Sequence, residues 1–247
     1  MTDACAQITG YLNCDFEVFS GEKSEKELQA YFAALQAKGK KSGFTPLFII
    51  PDETLAEAFE LFLEDNDLED SAKGMAEAVR ETLSQSGEVM LKVFLAERDA
   101  EYKEMHEDID LLGSFIEAEP TDEINLTDTD GELYPEIILA KIPAAPHELA
   151  AWAPMGGFNS CPTPAEQVAV FRYWHEKYGA VPAVVSYDVW QLTLERPPLT
   201  DVDTEALAWE HFAFCYDIVM QAPEEFASIR ALASNLRGST VWGFWWD

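Results

Sequence analysis

The amino-acid sequence predicts an α/β or α+β fold in which helices flank a mixed sheet. Three observations support this prediction: apolar residues recur at helical spacing in several segments, short strand-like runs separate these segments, and Gly or Pro stands at many junctions. The chain has 247 residues, of which 48% are hydrophobic and 12% aromatic. This composition is typical of a globular protein with a substantial core.

In the first half of the chain, helices and strands are predicted to alternate. Ser24 and Glu27 form a capping box that starts a helix, and Gly39 and Gly43 bracket its end. Pro46 favours an edge position, or a delayed start, for the strand that follows. The predicted elements are helices over 24–38, 52–63 and 71–84, strands over 44–50 and 88–95, a weakly helical region over 99–119, and a hairpin that joins 123–127 to 132–140 around Asp128-Thr-Asp-Gly131.

The segment Ile142-Pro-Ala-Ala-Pro146 is the predicted boundary between an acidic α/β region, residues 1–142, and a C-terminal domain, residues 147–247. The last strand carries apolar side chains on both faces, which favours a position in the interior of the sheet. Beyond the boundary we predict helices over 164–178, 203–221 and 223–236, and strands over 181–187, 189–194 and 239–246.

The formal net charge is −30, and it is unevenly distributed: residues 1–150 carry 34 acidic and 11 basic side chains. Such a field repels nucleic acid and anionic membranes, so we expect neither as a partner, whereas a basic protein would be attracted. Solubility, or adaptation to a salty interior, is the explanation of the charge that we favour. The chain has no apolar run of membrane-spanning length, no signal-peptide pattern and no Cys-x-x-Cys pair, so we expect a cytoplasmic protein with reduced thiols and no cofactor.

All seven tryptophans lie between Trp152 and Trp246. They belong to a set of motifs that includes Trp152-Ala-Pro-Met-Gly-Gly-Phe-Asn-Ser-Cys-Pro162, Arg172-Tyr-Trp-His-Glu-Lys-Tyr-Gly-Ala180, Phe214-Cys-Tyr-Asp217 and Trp242-Gly-Phe-Trp-Trp-Asp247. With these motifs, residues 147–247 resemble the bacterial domain of unknown function numbered 4253. The resemblance implies a shared domain and carries no activity, ligand or catalytic residue with it.

Polar residues recur among the aromatic ones of this tryptophan-rich block, as a ligand pocket requires. The paired glycines make a sharp turn whose amides could bind an anion, and a purely structural turn explains them as well. Carboxylates beside aromatic walls could act as acids or bases, or they could pair with arginines. The candidate pocket residues are Gly156, Gly157, Asn159, Cys161, Asp188, Glu210, His211 and Asp217, of which Glu210 and Asp217 are expected on one face of the long predicted helix.

Cys161, His211 and Cys215 allow three interpretations. His211 and Cys215 are four residues apart on the predicted helix, and together with Cys161 they could supply soft ligands for zinc. Cys161 precedes a helix, where its thiol could act as a nucleophile with a histidine as base. The same helix positions also lie on an apolar stripe, and no zinc or catalytic-cysteine motif surrounds them. Packing is therefore the interpretation we favour, with no metal site.

Two functional hypotheses follow, from different classes. The first is a non-enzymatic interaction protein, immunity-like or inhibitor-like, whose acidic surface covers a basic partner. The alternative is a small-ligand-binding protein or enzyme with a pocket around Cys161, Glu210 and His211. The charge asymmetry and the lack of any catalytic motif favour the first.

Overall fold

The computed structural model describes residues 1–105 and 110–247. The strands are β1 (Asp15–Phe19), β2 (Thr45–Ile49), β3 (Ile137–Ile142), β4 (Val181–Val185), β5 (Val189–Thr193) and β6 (Val241–Trp245). The helices are α1 (Asp3–Tyr11), α2 (Glu25–Ser42), α3 (Glu53–Asp65), α4 (Ala72–Ser86), α5 (Leu91–Met105), α6 (Leu149–Trp152), α7 (Pro164–Tyr178), α8 (Asp201–Phe214), α9 (Asp217–Met220) and α10 (Ile229–Leu236). No helix in these two ranges is both long and apolar enough to cross a membrane.

The six strands form one mixed sheet in the order β1-β3-β2-β4-β5-β6, which confirms the predicted mixed sheet with helices around it. Neighbouring strands are antiparallel except β2 and β4, which run parallel with Phe48 opposite Val184. Strands from both sides of the predicted boundary thus share one sheet, and the division at residues 142–147 stays a prediction. The parallel pair at the centre of the sheet determines where the cavity described below lies.

Alternate strand residues enter two apolar clusters, one on each face of the sheet. Leu47 and Ile49 of β2 belong to the larger cluster, which also contains residues of α1, α3, α4, α7 and α8. Phe48 belongs to the smaller cluster, where it stacks on Phe32 of α2 with ring centroids 4.9 Å apart. This alternation follows from the two-residue period of a strand, and it explains why every residue of β2 is buried.

The predicted starts of α2 and α7 are confirmed in detail. Ser24 accepts a hydrogen bond from the Glu27 amide, and the Glu27 carboxylate accepts one from the Ser24 amide at 2.9 Å. Thr163 and Glu166 form the same reciprocal cap at α7. Gly43 and Gly179 end these two helices in the left-handed conformation. Local side-chain chemistry is sufficient to define these ends.

The strand predicted over 88–95 is wrong, because this segment contains the start of α5. The Phe94 amide donates to the Met90 carbonyl at 3.0 Å, and the Phe94 side chain packs against the larger core cluster. Helix α5 packs on α8, and this tertiary contact overrides the β propensity of its valine and phenylalanine. Of the weakly helical region predicted over 99–119, residues 106–109 lie outside the described part of the chain.

Of the predicted hairpin around Asp128, only the turn and one isolated bridge form. The Gly131 amide donates to the Asp128 carbonyl at 3.1 Å, and beyond the turn Thr127 and Leu133 form an isolated bridge. Strand β3 pairs instead with β1 and β2. Neither β1 nor α1 was predicted from the sequence, so β1, one of the two strands that pair with β3, was missing from the prediction.

The long helix predicted over 203–221 breaks at Cys215, which has extended backbone angles (φ −142°, ψ 92°). The Cys215 thiol donates to the Trp245 carbonyl at 3.0 Å, so the break places this side chain against the last strand. Glu210 and Asp217 therefore do not share one helical face, contrary to the expectation. The next helix was predicted to begin at residue 223. It begins at Ile229, and Ser228 caps it.

Two strands occupy positions that refine the prediction. Strand β2 lies between β3 and β4 although it contains Pro46, because β4 pairs only with Phe48 and Ile49 and needs no donor from the proline. Strand β6 belongs to the sheet as predicted, and it comes last in the order, paired with β5. Only one face of the C-terminal part of β6 is buried: Trp242 and Phe244 are buried, whereas Gly243 and Trp245 are exposed.

Candidate functional site

A cavity of about 280 Å³, here called the carboxyl-end cavity, lies where the parallel strands β2 and β4 end. In open α/β sheets that are mostly parallel, ligands bind outside the carboxyl ends of the strands, and this cavity has the same position relative to the one parallel pair. The lining comes from the start of α3, the loop 155–159, the β4–β5 turn and residues 245–247: Thr54, Ala58, Met155, Gly156, Phe158, Asn159, Tyr187, Asp188, Trp245, Trp246 and Asp247. Three predicted pocket residues, Gly156, Asn159 and Asp188, are brought together here.

Asp188 is held in the tight turn between β4 and β5. Its carboxylate accepts hydrogen bonds from the Ser186 hydroxyl at 2.8 Å and from the Trp245 indole at 2.9 Å. The Ser186 hydroxyl also accepts from the Val189 amide at 3.1 Å, and the Trp246 amide donates to the Asp188 carbonyl at 3.1 Å. Asp188 is 9% exposed. The turn thus presents one largely desolvated carboxylate to the cavity.

The loop 155–159 adopts a backbone shape that depends on its residue types. Gly156 and Gly157 have φ of 129° and 77°, and Asn159 has φ of 45°. A Cβ atom on Gly156 would lie 2.2 Å from the Pro162 carbonyl oxygen, so no side chain fits there. Asn159 is among the non-glycine residues that most readily adopt positive φ. Its amide donates to the backbone carbonyl of Asp247, which ties the loop to the last residues.

Gln167 of α7 supports this loop, and the sequence analysis did not identify it. Its side chain is fully buried, and its amide nitrogen donates to the carbonyls of Met155 at 2.7 Å and Pro162 at 2.8 Å. Its amide oxygen accepts from the Trp190 indole at 2.7 Å. The available signal was a polar residue on an apolar helix face, since such a residue must find partners inside the core.

The surroundings of the carboxyl-end cavity are negatively charged. No Lys or Arg lines it among the residues that the structure describes. The negative charge of Asp188 is the largest cause of a raised Tyr187 pKa. Burial raises the pKa of Asp52, the capping residue of α3, and the charge of Asp188 adds to that effect. The pKa of Tyr134 is also raised, by burial and then by Asp188.

Cys161, His211 and Cys215 do not line the carboxyl-end cavity. Cys161 lies 3.6 Å from the Met155 sulfur, and burial raises the pKa of its thiol, which is the opposite of what activates a nucleophile. Burial likewise raises the pKa of Cys215. His211 packs among aromatic rings, 4.6 Å from Trp242 and 4.7 Å from Phe244 between centroids. Within the described ranges, no three His, Cys, Asp or Glu side chains are placed to hold a metal.

Glu210 and Asp217 lie apart from each other in separate hydrogen-bond networks. Glu210 accepts from the Tyr173 hydroxyl at 2.8 Å, the Trp174 indole at 3.1 Å and Lys177 at 3.2 Å. Asp217 is 3% exposed and accepts from Ser160, Gln221 and the Asp247 amide. Glu210 therefore stabilises the packing of α7 on α8, whereas Asp217 connects the loop 155–161 to the end of β6.

A larger cavity of about 610 Å³ lies at the other end of the parallel pair, where β2 and β4 begin. Its charged side chains already have partners within the protein: Lys40 pairs with Glu195, and Glu148 accepts from the Ala145 amide at 2.9 Å. Thr45, on its wall, donates to the Ala144 carbonyl at 2.8 Å. By contrast, Asp188 lines the carboxyl-end cavity, is 9% exposed and has no ion pair among the described residues. A desolvated carboxylate without a counter-ion makes the smaller cavity the better candidate site.

Comparison with known proteins identifies the C-terminal part of the chain. Residues 138–247 match the family model of DUF4253, a domain of unknown function, which confirms the resemblance seen in the sequence. The match begins within β3. No curated protein and no solved structure matches the chain.

Proposed function

We propose that the protein binds a small organic ligand in the carboxyl-end cavity. Because residues 138–247 match a family without a known function, the proposal is based on the cavity itself. The observation that carries it is the combination, at one site, of aromatic walls and the buried carboxylate of Asp188. Apolar walls with a few convergent polar groups are the usual composition of a ligand pocket. The volume, about 280 Å³, suits a small molecule.

Filling the cavity should abolish ligand binding without unfolding the protein. Ala58 is half-buried and lines the cavity from α3, so Ala58→Phe places a ring in the ligand space. A ligand present at a hundredfold excess over its Kd stabilises the fold by about 2.7 kcal/mol, which raises Tm by roughly 5–10 °C in a chain of this size. We expect this shift, measured by thermal unfolding across a metabolite panel, in the original chain and not in Ala58→Phe.

Ala100→Phe is the matched control, because Ala100 is an exposed alanine on α5, away from the cavity lining. It should respond to the same ligand as the original chain does. A ligand that stabilises Ala58→Phe as strongly as the control binds elsewhere, and that result would refute the proposal.

A second candidate function is the interaction of the acidic surface with a basic protein, in an immunity-like or inhibitor-like role. The specific support is an acidic segment, residues 64–70, next to Leu61 on α3, an apolar side chain that is 56% exposed. Together they offer charge for association and apolar area for contact.

Neutralising Glu64, Asp65, Asp67, Glu69 and Asp70 to amides should weaken such a complex at least tenfold and reduce its dependence on salt. The measurement is the Kd for a basic partner isolated with the original chain, at several ionic strengths. Neutralising five exposed acidic residues outside this segment, Glu22, Asp122, Glu123, Asp130 and Glu132, is the control. Equal losses in both variants would contradict a specific surface and indicate a general charge effect.

A further inference from the structure

We infer that the carboxyl-end cavity selects a small organic cation, an ammonium or guanidinium compound. The inference rests on the proposed ligand-binding function and adds the chemical class of the ligand.

The Asp188 carboxylate has only neutral hydrogen-bond partners among the described residues. The Ser186 hydroxyl and the Trp245 indole donate to it, and the Tyr187 side chain also interacts with it. No ion pair involving Asp188 occurs among the described residues, although it is only 9% exposed. A desolvated carboxylate without a counter-ion is costly, and each of its oxygens can accept a further hydrogen bond. A cationic ligand would supply the missing charge.

Aromatic side chains form much of the cavity wall. Phe158, Tyr187, Trp245 and Trp246 line the cavity, and Tyr187 and Trp245 are partly exposed at 43% and 38%. Aromatic faces attract cations, and the attraction grows when the cation is desolvated. Lys and Arg side chains contact eight other rings in the described structure, and none of those rings lines this cavity. The cavity aromatics are therefore free for a cation from outside.

The test uses ligands that differ only in charge. Choline and 3,3-dimethyl-1-butanol have the same shape and hydroxyl group, and only choline is charged; ethanolamine and a hydroxylated guanidinium compound extend the cationic set. Calorimetry on the full chain at constant ionic strength should give a Kd at least tenfold lower for the best cation than for its neutral counterpart. A difference of tenfold corresponds to about 1.4 kcal/mol, within the range for a charge-assisted contact.

Two variants separate the charge from the fold. Asp188→Asn should weaken binding of the cation at least tenfold, and Asp130→Asn, an exposed turn residue with the same change in charge, should have no effect. Should Asp188→Asn fail to fold, Tyr187→Leu replaces it, because Tyr187 is exposed at the cavity and its loss removes a cation–π wall. That variant should weaken binding of the cation several-fold and leave the neutral alcohol unaffected.

The possible failures are distinguishable. If a neutral or anionic compound binds as well as the cations, and Ala58→Phe abolishes that binding, the cation inference is overturned and the ligand-binding proposal stands. Binding of a basic peptide alone, with no response to free cations, overturns the inference in favour of a protein partner. If no compound of any charge binds, both proposals fail.

Discussion

Deletion of the last six residues, 242–247, is expected to abolish soluble and cooperatively folded protein. The deletion removes three rings that are 1–2% exposed, those of Trp242, Phe244 and Trp246. Phe244 stacks on Trp174 with centroids 5.3 Å apart, and Trp246 lies 5.4 Å from Phe214. Loss of each buried ring costs about 3–5 kcal/mol, so the three together approach or exceed the roughly 5–15 kcal/mol that stabilises a typical domain. The measurements are soluble yield and urea unfolding.

The control for this deletion is Trp245→Ala, which removes a tryptophan of the same strand whose side chain is 38% exposed. It loses the hydrogen bond to Asp188 and little core packing, so we expect folded protein with a modestly lower midpoint. Recovery of soluble, cooperatively unfolding protein after the deletion would show that the tryptophan face of β6 is dispensable. Trp245→Ala should fold whether or not that happens.

The features that the sequence predicted correctly are those determined by local chemistry. Ser24 and Glu27 cap a helix irrespective of its tertiary contacts. The alternation of large rings every two residues places Trp242, Phe244 and Trp246 on one buried face. Segment 88–95 was misassigned because its apolar residues suit a strand or a helix, and only contact with α8 decides between them. The break at Cys215 likewise depends on a distant partner, the Trp245 carbonyl.

The candidate site was predictable in part. Gly156, Asn159 and Asp188 were selected for their chemistry, and they do line one cavity. Thr54 and Tyr187 were not selected, because their proximity follows from the parallel pairing of β2 with β4 across more than 130 residues of sequence. No local pattern encodes that sheet order. Cys161 and His211 were selected for reactivity, and the aromatic and sulfur contacts around them are those of a core.

His211 should make the fold sensitive to acid. It is 1% exposed, its Nε2 atom has no hydrogen-bond partner in the described part of the chain, and burial lowers its pKa from 6.5 to about 3. Since the folded pKa lies below the unfolded one, the unfolded chain takes up the proton first as the pH falls. Above about pH 6.5 the histidine is neutral in both states, so its titration does not change the free energy of unfolding. Between pH 6.5 and pH 3 stability is lost progressively. At pH 4.5, two pH units below the ordinary pKa, the expected loss is on the order of 3 kcal/mol.

His211→Phe isolates this effect from the titration of the many carboxylates, which both proteins share. Relative to the original chain, the variant should gain on the order of 3 kcal/mol in free energy of unfolding between pH 7 and pH 4.5, measured by urea titration. Leu207→Ala, a core change on the same helix that keeps the histidine, should be destabilised at every pH and retain the original slope. Parallel curves for His211→Phe and the original chain would mean that His211 accepts a proton without unfolding. Its site would then have to open to water, and the tryptophan cluster around it would be less rigid than its close ring contacts indicate.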